Sequence, residues 1–163
     1  MMKRGFDAPV PKLMIWSYRL GAAVIDVRLL RVSFTRLHAF LLSLSRGRLP
    51  AHHNHLVLST TGRKTGKTRR VPLFYIADDD RYVIVGSRGG SSHPPIWWLN
   101  LQADPEAVVE IRGRTIPVRA AEASAEERER LWPELVAFYS GYDDYVKRAD
   151  RQIPVLLLTP TDP

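Results

Sequence analysis

From His55 onward the chain is written in short apolar runs rich in β-branched and aromatic residues, each closed by a tight turn. That spacing constrains the fold most, because such runs suit strands and are too short for free-standing helices. His55–Thr60, Arg70–Ile76 and Arg81–Ser87 are the first three, with Asp78, Asp79 and Asp80 turning the chain between the second and third. Ala107–Arg112 and Thr115–Ala121 read as a hairpin about Gly113, and Ile153–Thr159 as a last strand. Two helices interrupt the strands. Pro95–Ala103 has a proline near its first turn, and the Ser124/Glu127 capping-box pair opens a segment carrying Leu131, Leu135 and Phe138. Pro133 is expected to kink or restart that second helix. Six strands in meander order with two inserted helices predict an α+β domain on a small closed or split antiparallel barrel. There is no internal repeat and no low-complexity tract.

The first 50 residues follow a different pattern. Trp16, Leu20, Ala23, Val27, Leu30, Phe34, Leu37, Leu41 and Leu44 recur at steps of four and three, an apolar seam along one helical face. Arg19, Arg28, Arg31 and Arg36 lie off the seam, and Gly21 is a place where it can break into two helices. No uncharged run approaches the roughly 20 residues needed to cross a bilayer. A signal peptide does not fit, because Arg residues and Asp26 interrupt the apolar stretch. Two readings stand: a helix packed on the domain or on a partner subunit, or a basic amphipathic helix lying on an anionic membrane surface. The expected division is residues 1–50 as a basic amphipathic lead-in and 51–163 as the barrel domain.

Charge sharpens that division. The net charge is +7 over 163 residues, but residues 1–50 hold nine Lys/Arg against two Asp/Glu, and residues 76–163 hold ten against fifteen. The N-terminal half therefore faces anions. There is no cysteine, which excludes disulfides, thiol catalysis and thiolate metal sites. His52, His53 and His55 have no carboxylate or cysteine beside them and read as loop histidines, so no metal site is expected.

The stretch Thr60–Tyr75 places Arg63, Lys64, Lys67, Arg69 and Arg70 on a glycine-punctuated turn with no acid among them. It is not a phosphate loop of the nucleotide-binding kind. Only three residues separate Gly62 from Gly66–Lys67–Thr68 where that motif needs four, and a strand follows where the motif opens a helix. The turn is either a solvated basic hairpin or an anion site. Gly86–Asn100 then offers Ser87, Arg88, Gly89 and Gly90 for close backbone approach, followed by Trp97 and Trp98. The two stretches together suit a large anionic ligand with a flat aromatic end. Tyr139, Tyr142 and Tyr145 recur every three residues, so a helix or helical turn brings them together, as core or rim residues or beside a flat ligand. Arg151, just before the last strand, is placed to hold a carbonyl or carboxylate, or to pair near Asp150.

These segments, with Pro95–Asn100, Tyr139–Tyr145 and Asp150–Val155, occur in an order that resembles the deazaflavin-dependent nitroreductases, also described as F420H2-dependent quinone reductases. The resemblance covers about residues 55–160. It implies a split β-barrel of about six mainly antiparallel strands with flanking helices, in front of which the N-terminal amphipathic helix would stand. It implies the 8-hydroxy-5-deazaflavin coenzyme F420, with its phosphodiester and oligoglutamate tail. Arg63, Lys64 and Arg69 would hold the phosphate and carboxylates, with Lys67 and Arg70 as auxiliaries. Pro72 would shape the wall by the deazaflavin, Ser87, Arg88, Gly89 and Gly90 would meet the linker and ring edge, and Trp97 would pack near the rings. Tyr139, Tyr142 and Tyr145 would line the acceptor pocket, with Tyr142 and Tyr145 donating to charge on the reduced acceptor. Phe74 stands where some members carry tyrosine, and Arg88 where lysine is common.

The implied activity is hydride transfer from reduced F420 to a quinone or nitroaromatic acceptor, in the cytoplasm or peripherally on the inner face of the membrane through residues 13–45. A homodimer is compatible with this reading. The alternatives are a carrier that binds F420 without turnover and an FMN-dependent enzyme of the same barrel class. A nucleic-acid binder is disfavoured, because Thr60–Arg70 interleaves no aromatic residue with its cations.

Overall fold

The computed structural model describes residues 54–161. The amphipathic seam of residues 13–45, His52 and His53 lie outside the described residues. Seven strands and three helices follow one another: β1 (His55–Thr61), β2 (Thr68–Phe74), β3 (Ile76–Asp78), β4 (Arg81–Val85), α1 (Ile96–Ala103), β5 (Glu106–Ile111), β6 (Arg114–Glu122), α2 (Ala125–Phe138), α3 (Gly141–Ala149) and β7 (Val155–Pro160). The seven strands form one antiparallel sheet in the order β2-β1-β5-β6-β7-β4-β3.

That order differs from a meander in two places. β1 lies between β2 and β5, and β7 inserts between β6 and β4. The run expected as one strand from Arg70 to Ile76 is two strands, divided at Tyr75, whose N–H donates to the Asn54 carbonyl at 3.0 Å. This interruption closes the architecture. β2 and β3 are opposite edges of the sheet yet neighbours in the chain, so the sheet has to curl until its two edges approach. The product is a split half-barrel, as the strand pattern predicts. Pro72, which cannot donate to a ladder, sits in the edge strand β2 opposite Val57.

The period-2 alternation of β4 and β7 feeds two cores. Ile84, Leu156 and Leu158 point into the barrel with Leu56, Leu58, Val109, Val118 and, from α1, Trp97 and Leu101. Val83, Val85, Val155 and Leu157 point outward under α2 and α3, against Leu131, Leu135, Tyr139 and Tyr142. α2 opens on the expected capping box: Glu127 N–H donates to Ser124 Oγ, and Ser124 N–H to the Glu127 carboxylate. It then runs through Pro133 as one helix, so the expected restart does not occur. The β3–β4 turn is fixed to it by Asp78, which is 8% exposed and accepts from Arg81 at 2.6 Å and from Arg130 at 2.8 and 3.0 Å. Hydrogen bonds from the two guanidiniums, Arg130's first, outweigh desolvation and hold that carboxyl below the usual carboxylate range.

Candidate functional site

The basic turn is the β1–β2 loop. Its backbone is closed by Gly62 N–H to the Lys67 carbonyl at 2.9 Å, and by Thr65 and Gly66 N–H to the Gly62 carbonyl at 3.0 and 2.7 Å. A side chain at Gly62 would stand 2.9 Å from that Lys67 carbonyl, and Gly66 has φ +65°, so both glycines are required by the turn. Arg63, Lys64, Lys67 and Arg69 are exposed and make no ion pair among the described residues. Arg70 does not belong with them. It reaches over β1 to Glu110 on β5 at 2.6 Å, so the turn is acid-free in sequence but not in space.

Asn100, inside α1, anchors this loop. Asn100 is 2% exposed; its amide donates to Thr60 Oγ1 at 3.1 Å and its carbonyl accepts from Arg63 N–H at 3.3 Å. Sequence reading passed over Asn100 and Thr60. The usable signal was an amide inside the apolar run Ile-Trp-Trp-Leu-Asn-Leu, since a buried amide needs partners. The residues leading into α1 meet the glycine turn, where the Arg88 guanidinium donates to the Pro94 carbonyl at 3.0 Å.

Arg88 to Gly90 form a single 3-10 turn, with φ +48° at Arg88, +65° at Gly89 and +78° at Gly90. Gly90 is pressed against α3: a Cβ there would lie 3.2 Å from the Tyr145 Cα and 3.3 Å from its carbonyl oxygen. The turn therefore packs on the backbone of Tyr145. Tyr139 caps the end of α2 and the other two lie on α3, so the cluster is built at a joint between helices. The three rings lie 5.1 to 6.3 Å apart, and the Tyr139 and Tyr145 hydroxyls are hydrogen-bonded at 2.9 Å. Phe74 stacks on Tyr139 at 5.9 Å and couples the cluster to β2. Tyr139 and Tyr142 are buried in the outer core, whereas Tyr145 is half-buried.

The remaining expected positions divide. Pro72 and Ser87 are half-buried on β2 and at the start of the glycine turn. Trp97 is 8% exposed and belongs to the barrel core, with Trp98 at the edge of that core. Arg151 makes no carboxylate pair among the described residues. It donates to the carbonyls of Gly86, Ser87 and Ser91, and burial lowers its pKa from the ordinary arginine value. Among the described residues no group of three His, Asp or Glu side chains could hold a metal, and no helix is long and apolar enough to cross a membrane.

A continuous line of contacts thus runs from four cations, along α1, through a glycine turn, to a hydrogen-bonded tyrosine pair. Known proteins share the framework. A candidate F420H(2)-dependent quinone reductase of Mycobacterium tuberculosis, Rv3178, is 39% identical over 105 residues, covering 64% of this chain and 88% of its own. The F420H(2)-dependent quinone reductase Rv1261c of the same organism is 33% identical over 135 residues, 78% of this chain and 91% of its own. Among solved structures, the F420-H2 dependent reductase FDR-A superposes with a TM-score of 0.59 at 36% identity, covering 64% of this chain and 93% of that one. A domain-swapped dimer superposes with a TM-score of 0.61 at 31% identity, covering 76% and 93%. The family model for F420H(2)-dependent quinone reductase matches residues 36–160, and the chain belongs to that family.

Proposed function

We propose that this protein binds coenzyme F420 and reduces a quinone with it. The observation that carries the reading is the line of contacts just described. It links a loop of four cations, which make no ion pair among the described residues, through α1 to a glycine turn that rests on the backbone of Tyr145, one partner of the hydroxyl pair. A ligand with an anionic tail and a flat head fits that arrangement. F420H2, when bound, supplies the hydride.

The chain's own residues supply the rest. Arg63, Lys64 and Arg69, with Lys67 beside them, hold the phosphate and tail carboxylates by charge-assisted hydrogen bonds. Arg70, shared with Glu110, contributes less. Ser87, Arg88, Gly89 and Gly90 let the head approach the backbone, and Pro72 shapes the wall beside it. Trp97 acts from the core by fixing α1. Tyr139, Tyr142 and Tyr145 wall the acceptor side and exclude water. Tyr145 donates its hydroxyl proton to the acceptor oxygen as charge grows there, because it is the one of the three not buried and Tyr139 backs its hydroxyl. Tyr142 supports this donation from its buried position.

The test is a fluorescence titration with oxidised coenzyme beside FMN and NADPH, followed by quinone-dependent oxidation of the reduced coenzyme. Selective binding near micromolar is expected. Tyr145→Phe should lower turnover about tenfold and move coenzyme affinity by no more than about twofold. Equal rates in the variant remove its role, and a preference for FMN removes the coenzyme assignment. Nitroaromatics that accept hydride belong to the same acceptor class.

The lead-in is proposed as a distinct basic unit, residues 1–50, whose segment 13–45 holds the protein on the inner membrane face, where hydrophobic quinones reside. The apolar seam flanked by arginines supports this. Deleting residues 1–45 is expected to reduce pelleting with anionic liposomes; undiminished pelleting would assign the seam to protein packing, and a homodimer, for which the domain-swapped relative is a precedent, would then be its place.

A further inference from the structure

The glycine turn is gripped from the C-terminal side by one residue whose position lies outside the coenzyme-contact set. Arg151 Nη2 donates to the carbonyls of Gly86 at 3.0 Å and Ser87 at 3.2 Å, and its Nε donates to the Ser91 carbonyl at 3.0 Å. Nη1 donates back to the Gln152 carbonyl at 3.1 Å, which ties the guanidinium to its own backbone. One fork therefore spans both ends of the segment 86–91. The grip is reinforced three residues on, where Gly86 N–H donates to the Pro154 carbonyl at 2.8 Å and a Cβ at Gly86 would strike the Pro154 ring at 2.6 Å. From the opposite side Gly90 rests on the Tyr145 backbone.

We infer that Arg151 is a positioning residue that sets the shape of the Ser87–Gly90 turn, and through it the affinity for the coenzyme. The inference rests on the functional reading above. Three consecutive residues in this turn have positive φ, two of them glycine, so its local preferences are weak and its shape has to be imposed from outside. A planar fork with fixed donor directions can hold two carbonyls at one end and a third at the other. A lysine ammonium is a single point and cannot span both ends at once. Among the described residues Arg151 makes no carboxylate ion pair, and its guanidinium donates to four backbone carbonyls, three of them in this segment.

The test compares Arg151→Met, Arg151→Lys and Arg128→Met in the full chain. Arg128 is the control because it also donates to a backbone carbonyl, that of Ile153 at 2.6 Å, but touches no part of the turn. Two readouts are taken: amide hydrogen exchange of residues 86–91 in the coenzyme-free protein, and the dissociation constant for oxidised F420 by fluorescence. Arg151→Met should speed exchange in 86–91 by about tenfold and raise the dissociation constant by a similar factor, with Arg151→Lys falling between it and the parent protein. Arg128→Met should lower the melting temperature and leave both readouts within about twofold. Unchanged exchange and affinity in a folded Arg151→Met overturn the inference, as does an Arg128→Met variant that moves both equally. If the parent protein itself fails to bind F420, the coenzyme reading falls, and the exchange comparison alone still decides whether Arg151 shapes the turn.

Discussion

Exchange of both Arg63 and Lys64 for alanine will raise the dissociation constant for oxidised F420 by at least about tenfold, which is about 1.4 kcal/mol. The two side chains are exposed on a loop whose backbone is closed by its own hydrogen bonds and by Asn100. Removing them leaves those bonds intact, so the melting temperature should stay within about 2 °C of the parent. The loss is electrostatic and therefore screened: the gap between parent and variant should narrow as ionic strength rises from about 0.05 to 0.5 M. Arg70→Ala is the internal comparison. Its charge is already engaged by Glu110 across the sheet, so its effect on affinity should be the smaller one. Equal titrations for the parent and the double variant would assign the basic loop to another anion.

The strands were legible because their signal is local. The alternation in β4 and β7 and the hairpin about Gly113 are written within a few consecutive residues. The capping box of Ser124 and Glu127 is equally local, spanning four residues. Strand order was not legible, since nothing in β7 itself states that it will lie between β4 and β6, partners about 70 and 40 residues distant. The same division holds at the site. The basic loop, the glycine turn and the tyrosines announce themselves by composition. Their connectors do not: Asn100 joins the loop to Thr60, 40 residues away, and Arg151 joins the turn from about 60 residues away. The Arg70–Glu110 pair escaped for that reason, as charge counting along the chain cannot see a carboxylate facing it from β5. Phe74, noted in the sequence only as a departure, is what couples β2 to the tyrosines.

Gly141→Ala gives the sharpest test of the tyrosine cluster, because propensity and packing predict opposite signs. Gly141 opens α3, where alanine is the better helix former by up to about 1 kcal/mol. Yet a Cβ at that position would stand 2.5 Å from the Tyr139 Cε1, 2.6 Å from its Cζ and 2.7 Å from its hydroxyl oxygen. The ring cannot simply swing aside. It is 4% exposed, with Phe74 stacked at 5.9 Å, Tyr142 edge-on at 5.1 Å and the Tyr145 hydroxyl at 2.9 Å. Moving it breaks the hydroxyl pair and repacks three aromatic neighbours, so packing wins: the variant should lose about 2–3 kcal/mol of stability. Turnover should fall about tenfold as Tyr145 loses the partner that orients it. A double-mutant cycle isolates the cause. Tyr139→Ala is itself destabilising by about 3–5 kcal/mol, but in that background the clash is gone and adding Gly141→Ala should be neutral or stabilising. A reversal of sign between the two backgrounds places the Tyr139 ring over Gly141. A Gly141→Ala variant that is more stable than the parent, with turnover intact, would mean that the ring lies elsewhere and that the hydroxyl pair has no part in the reaction.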